Sequence, residues 1–156
     1  MDYVVAVDLD GVLADFDGRI KEIFNGQTPN KKELWTEVRK YDSQTQPFFE
    51  TLPKMRDADD LVTTIGATFP QMFILTAVGT CPKNADEQKR RWVKNHYGGI
   101  PVFTVVKGTD KALYARPNVI LVDDNLSVVE NFVAAGGKGV HHVDVKTSLQ
   151  KLKAFC

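Results

Sequence analysis

The sequence predicts an α/β fold built on a doubly wound parallel sheet. Three observations carry that expectation. Residues 3–7, 72–75, 102–106 and 119–122 are continuous apolar or β-branched runs rather than alternating ones, the pattern of strands buried on both faces. Helical patterns lie between and after them, at 58–67, 84–96, 126–135 and 147–155. Polar residues with chemical potential, Asp8, Thr76, Lys107 and Asp123, stand at or just past the ends of the four runs. In such sheets ligands sit outside the carboxyl ends of the strands.

Taken in chain order, residues 3–7 give the first strand, ending at Asp8. Residues 58–67 give a helix before the strand at 72–75. The segment 84–96 is charged over most of its surface, with Trp92 and Val93 on one side and Gly98-Gly99 as its stop. After the strand at 102–106 and the one at 119–122, the helix 126–135 ends at Gly136-Gly137. A weaker strand over 139–143 leads to a last helix, 147–155, whose Leu149, Leu152 and Phe155 form an apolar stripe. Residues 16–53 interrupt this rhythm and are too long for an ordinary connection. They read as an insertion, with helical patterning at 19–24 and 31–41, a turn at Thr28-Pro29-Asn30, and the aromatics Phe16, Phe24, Trp35, Tyr41, Phe48 and Phe49.

Composition narrows the function. The 156 residues, 43% hydrophobic and 26% charged, suit one compact domain. Twenty Lys and Arg balance twenty Asp and Glu, so no net positive field exists to hold a polynucleotide by counterion release. Cys81 and Cys156 form no C-x-x-C, which argues against a disulfide framework or a cysteine zinc site and for a reducing compartment, the cytoplasm. The N-terminus has no signal-peptide pattern, and no apolar run reaches the length of a membrane span, so neither secretion nor a membrane partner is expected.

The chemistry concentrates at the strand ends. Asp8 and Asp10 flank Leu9, and a period of two sends both carboxylates to one side if strand geometry persists that far. Gly11 permits a tight turn where backbone can approach an anion, and Asp carboxylates are the hard oxygen ligands that magnesium prefers. Thr76, either Lys107 or Lys111, and the pair Asp123-Asp124 fall at the same end of the sheet. Together they offer a metal-binding and nucleophilic acid cluster, a hydroxyl for phosphate oxygens, and an ammonium to neutralise charge. Each has a plainer reading alone: Thr76 a satisfied core hydroxyl, Lys111 a solvated helix start, and Asp123-Asp124-Asn125 a helix cap before Leu126. His96, His141 and His142 fall in no metal-ligand spacing with the carboxylates.

Asp8-Leu9-Asp10-Gly11-Val12-Leu13-Ala14-Asp15-Phe16 resembles the first signature of the haloacid dehalogenase superfamily of phosphotransferases. Ile74-Leu75-Thr76-Ala77 resembles the second, Lys111 the third and Leu121-Val122-Asp123-Asp124 the fourth. Within that superfamily the chain is most similar to the 5'(3')-deoxyribonucleotidases, through Gly11 to Phe16, Phe48-Phe49-Glu50 before Leu52-Pro53, and Lys89 ahead of Trp92-Val93.

The resemblance implies a haloacid dehalogenase-like core, residues 1–15 and 54–156, with a small helical cap, 16–53, that covers the site and selects the substrate. It implies Asp8 as nucleophile, forming an aspartyl-phosphate, and Asp10 as the acid that protonates the leaving group and then the base that activates water. Magnesium would be held by Asp8, the Asp10 carbonyl and an acid of the fourth signature. Asp124 is favoured as that acid and Asp123 as its outer partner. Thr76, the amide of Ala77 and Lys111 would hold phosphate oxygens, with Lys89 a candidate for a further contact. Relatives tend to carry a second hydroxyl where this chain has Ala77. Phe16, Trp35 and Phe48 or Phe49 would stack a nucleobase, and the competing reading is that they form the core of the cap.

The function expected is magnesium-dependent hydrolysis of (deoxy)nucleoside 5'-monophosphates, with the nucleotide as a small-molecule partner and a homodimer left open. A polynucleotide 3'-phosphatase or another small-molecule phosphatase shares the catalytic residues. A receiver-like phosphoacceptor differs in order, because its acid pair is adjacent and its phosphoacceptor ends a middle strand. An idle nucleotide-binding domain is disfavoured by the complete set Asp8, Asp10, Thr76, Lys111 and Asp124.

Overall fold

The computed structural model describes residues 1–156. Its elements run β1 (Val4–Val7), α1 (Phe16–Ile23), α2 (Lys31–Gln44), α3 (Ala58–Thr68), β2 (Gln71–Ala77), α4 (Ala85–Tyr97), β3 (Val102–Val105), a 3-10 helix (Gly108–Tyr114), β4 (Val119–Asp123), α5 (Leu126–Ala134), β5 (Lys138–His141) and α6 (Val145–Lys153). The strands form one sheet in the order β3-β2-β1-β4-β5, every pair parallel. The chain builds outward from β1 on one side, then crosses back to add β4 on the other. The crevice at the carboxyl end of β1 is therefore the switch point of the sheet.

The continuous apolar runs have the predicted physical cause. Val5, Val7, Ile74, Ile120 and Val122 face one layer with Leu61 and Ile65 of α3, Trp92 of α4 and Leu152 of α6. Ala6, Leu75, Val119 and Leu121 face the opposite layer with Val128 and Phe132 of α5. Alternate residues of each strand thus enter opposite cores, so both faces need apolar side chains. No helix is long and apolar enough to cross a membrane.

Registry sets the site. Val7 pairs with Ile74 on one side and Val122 on the other. Asp8 stands on the next rung, its N–H donating to the Val122 carbonyl at 2.9 Å. The strand ends there, however. Residues 9–14 close into a turn in which the amides of Leu13 and Ala14 both donate to the Leu9 carbonyl at 2.9 Å. Asp10 reaches the side of Asp8 by that turn and not by strand alternation, which corrects the period-of-two argument.

Several boundaries differ from expectation where a capping side chain acts. Asp15 Oδ1 accepts from the Gly18 amide at 2.9 Å, so α1 begins at Phe16 instead of residue 19. Asp144 Oδ1 accepts from the Thr147 amide at 2.7 Å and starts α6 at Val145. At the head of α2, which begins at Lys31 as expected, Asn30 and Glu33 form a reciprocal capping box. Strand β2 runs through Ala77, so Thr76 and Ala77 lie within it. The 3-10 helix that carries Lys111 has no clear apolar period in the sequence, and Lys111 lies buried within it and not at a solvated helix start.

The two ends of the insertion meet. The Asp15 amide donates to the Pro53 carbonyl at 2.8 Å, and the Met55 amide to that of Leu13 at 2.7 Å. Residues 16–53 leave and rejoin the core at one place, and their apolar side chains Ile20, Val38, Phe48 and Phe49 continue the larger core layer.

Candidate active site

Asp8 follows β1 and is buried, with only 7% of its surface exposed. Its Oδ1 accepts from Lys111 Nζ at 2.8 Å, and the same ammonium donates to Asp123 Oδ2 at 2.7 Å. Lys111, 3% exposed, is therefore the lysine of the site, whereas Lys107 is exposed. Strand position left that choice open, and the family resemblance had named Lys111. Asp123 closes β4 and has its other oxygen on the Asn125 amide at 3.0 Å, so both its oxygens are engaged. The Asp124 side chain is exposed and lines the cavity. Its backbone carbonyl lies 3.0 Å from His141 Nε2, which ties the loop to β5.

Carboxylate oxygens of Asp8, Asp123 and Asp124 all lie within 4.8 Å of one another. Burial pushes the Asp8 carboxyl well above its usual range, and Asp123 and Asp124 add to that while Lys111 opposes it. Burial raises Asp124 in the same direction. For Lys111, burial pulls the ammonium down, but Asp8 and Asp123 more than offset it and hold it protonated. Three carboxylates thus face one buried ammonium, a surplus of negative charge on hard oxygen donors. Gly11 sits against this cluster at φ +79°, where any Cβ would collide with the Asp124 carboxylate. The donor set and the cradle suit a divalent cation of the magnesium class.

A cavity of about 320 Å³ holds Asp8, Asp10, Thr76, Lys111 and Asp124 together on its wall. It shares Asp10, Phe16, Ala77, Gly108 and Asn125 with a second cavity of about 860 Å³. Phe16, Trp35 and Phe49 line that larger space, with Lys31 and Arg39 on its rim. Lys31, Trp35 and Arg39 are spaced by four on α2, which places them on one helix face. The acid cluster and the aromatic space are thus joined at Asp10.

A family model for "5' nucleotidase, deoxy (Pyrimidine), cytosolic type C protein" matches residues 2–140. The chain belongs to this nucleotidase family. No curated protein matches it. Among solved structures, a haloacid dehalogenase-like hydrolase from Streptococcus pneumoniae superposes with a TM-score of 0.59 at 13% identity, covering 99% of this chain and 98% of its own. A hydrolase from Streptococcus pneumoniae TIGR4 gives 0.56 at 14%, covering 98% and 100%. A HAD family hydrolase from Deinococcus radiodurans, with bound phosphate and sodium, gives 0.53 at 16%, covering 89% and 79%. At these identities the likeness is one of fold, and the fold is haloacid dehalogenase-like.

Against the site expected from this nucleotidase family, one residue is displaced. Phe48 is fully buried, lines neither cavity, and packs edge-on to Tyr41 and Phe49 at centroid distances of 5.9 and 5.0 Å. It is core, because a ring with no exposed surface has no face to offer a base. Phe49, its neighbour, does reach the cavity wall. Lys89 also departs from a simple phosphate contact: its ammonium bonds Asp10 Oδ2, the Ala77 carbonyl and Thr76 Oγ1.

Sequence reasoning read Asp123-Asp124-Asn125 only as a helix cap before Leu126; the Asn125 side chain does cap α5, and it also lines both cavities, which was missed. It also missed Gln88. This buried amide accepts from the Phe49 amide at 2.8 Å and donates to Asp42 and Asn84 at 2.8 and 2.9 Å, tying the insertion to α4. The spacing of Lys31, Trp35 and Arg39 was visible in the sequence. Gln88 gave no signal, since its partners are distant in the chain.

Proposed function

We propose that the protein is a magnesium-dependent phosphomonoesterase that hydrolyses (deoxy)nucleoside 5'-monophosphates through an aspartyl-phosphate on Asp8. One observation supports this above others. In a chain of the nucleotidase family, Asp8, Asp10, Thr76 and Lys111 share a cavity that opens into an aromatic-lined one. The small cavity suits a phosphate, and the larger one has the size and lining for a nucleoside.

An Asp8 carboxylate oxygen attacks phosphorus as the bond to the ester oxygen breaks. Asp10 delivers a proton to the departing alkoxide. In the second step Asp10 takes a proton from water, the resulting hydroxide oxygen bonds to phosphorus, and the bond to Asp8 breaks, releasing inorganic phosphate. Thr76 and Lys111 hold the phosphoryl oxygens, and Lys111 helps to keep Asp8 ionised. Magnesium on the Asp8 and Asp124 carboxylates and the Asp10 carbonyl, with Asp123 as outer partner, would offset repulsion between the nucleophile and the phosphate dianion. Residues 16–53 serve as the cap, Phe16, Trp35 and Phe49 supplying faces for the base.

The test is phosphate release from nucleoside 5'- and 3'-monophosphates, sugar phosphates and a 3'-phosphorylated oligonucleotide, with and without magnesium. Preference for nucleoside 5'-monophosphates is expected. A preference for the oligonucleotide would replace this reading with a polynucleotide 3'-phosphatase, and a single turnover without release would replace it with a phosphoacceptor domain.

A further inference from the structure

We infer that Lys89 is a positioning residue that aims Asp10, and not a clamp on the transferred phosphate. The inference rests on the reading of Asp10 as proton donor and base. An ammonium has three N–H donors and no acceptor. Lys89, 2% exposed on α4, uses all three within the protein: Nζ lies 2.8 Å from Asp10 Oδ2, 2.7 Å from the Ala77 carbonyl and 3.3 Å from Thr76 Oγ1. The Phe49 ring covers it further, its centroid 4.4 Å from Nζ. A phosphate oxygen reaches this ammonium only if one of these bonds is given up. Lys111 differs, because Asp8 and Asp123 take two of its donors and leave the third.

Asp10 supplies the second half of the argument. It stands in a turn, not in a strand, and Lys89 is the only hydrogen-bond partner of its side chain. With Oδ2 held, Oδ1 is left buried and without a partner. Buried polar atoms are almost always satisfied, so an orphan beside the phosphate cavity points to a partner that comes with the substrate. Oδ1 is then the atom that gives its proton to the alkoxide oxygen as the phosphorus–oxygen bond breaks, and takes one back from water. Lys89, 79 residues away in sequence, selects the rotamer in which it does so.

The experiment compares a nucleotide with p-nitrophenyl phosphate, whose leaving group departs without needing a proton. Steady-state kcat/KM reads the steps up to the aspartyl-phosphate. For Lys89→Met, kcat/KM for thymidine 5'-monophosphate is expected to fall by about 100-fold or more, and that for p-nitrophenyl phosphate by less than roughly tenfold, the split a lost general acid gives. Inhibition by inorganic phosphate should shift by no more than about threefold, since no phosphate contact is removed. Lys89→Gln keeps an N–H donor and should lose less on the nucleotide than Lys89→Met. It carries the test if thermal melting shows the Met variant unfolded. Asp10→Asn, run alongside, should show the same split. Equal losses for both substrates with weaker phosphate inhibition, while Asp10→Asn still splits them, would overturn the role of Lys89 and leave that of Asp10 standing. Equal losses in Asp10→Asn would remove the reading of Asp10 and this inference together.

Discussion

Gly11 and Asp124 occupy one another's space: the carboxylate of Asp124 fills the position that a side chain on Gly11 would need. Residue 11 also has φ +79°, a conformation that costs a non-glycine residue about 1 to 3 kcal/mol. Gly11→Ala should therefore displace the Asp124 carboxylate, proposed above as a magnesium ligand, as well as strain the turn. The expected outcome is a loss of magnesium-dependent activity of about 10- to 100-fold, in line with other disruptions of groups that orient metal ligands. Isothermal titration with magnesium checks it, because strain alone would lower the melting temperature and leave the binding constant in place.

Asp8→Asn should abolish turnover, since an amide is neither a nucleophile nor an anionic ligand. Its effect on stability has a predictable sign. Burial and then the neighbouring acids raise Asp8 in the folded state, against the pull of Lys111, so its contribution is fully present below the unfolded value near 3.9 and is lost as pH rises through the folded one. Without metal, the melting temperature of Asp8→Asn relative to the unsubstituted protein should climb between pH 5 and pH 8. A flat or falling difference would contradict the charge surplus described for this cluster.

Magnesium should stabilise the protein more at pH 7.5 than at pH 5.5, because protons compete for the raised carboxyls of Asp8 and Asp124. At a hundred times its dissociation constant the ion contributes about 2.7 kcal/mol, which is roughly 5 to 11 °C for a domain of this size. Melting curves in magnesium and in chelator at the two pH values measure it. Equal shifts would mean that the ion binds elsewhere.

Trp35 and Phe48 should respond differently to truncation. Trp35 lines the larger cavity and Phe48 is core. Trp35→Ala should lower kcat/KM for nucleotides by about 1 to 3 kcal/mol and that for p-nitrophenyl phosphate much less. Phe48→Ala should cost about 3 to 5 kcal/mol of stability and affect both substrates alike. Equal losses on the two substrates for Trp35→Ala would make Trp35 part of the core of the insertion.

His142 sets a second pH dependence. It is buried with Nδ1 2.7 Å from Ser148 Oγ, and burial holds its pKa below the usual histidine value. The folded state binds the proton less well than the unfolded chain. Stability is therefore intact above the unfolded value near 6.5 and declines as pH falls toward the folded one. Urea unfolding of His142→Gln should show a shallower decline between pH 7 and pH 5 than the unsubstituted protein. Parallel curves would show that another group is responsible.

The sequence by itself determined the layered architecture, because a strand buried on both faces has to be apolar at every position and residues 3–7 and 119–122 carry that requirement in their own composition. It also determined that acids lie at the head of the sheet, since Asp8, Asp10 and Asp123-Asp124 directly follow or end those runs. Strand position alone did not separate Lys111 from Lys107, since both follow β3; the resemblance named Lys111, and the tertiary structure supplies the reason, a 3-10 helix that carries it to Asp8. It likewise sent Phe49 to the cavity and Phe48 to the core, and engaged all three donors of Lys89. Neighbours in sequence share composition and propensity, so local pattern cannot tell them apart. Which of them meets a given partner depends on contacts between residues tens of positions distant, such as Gln88 with Phe49 or Lys89 with Asp10, and these exist only once the layers have packed.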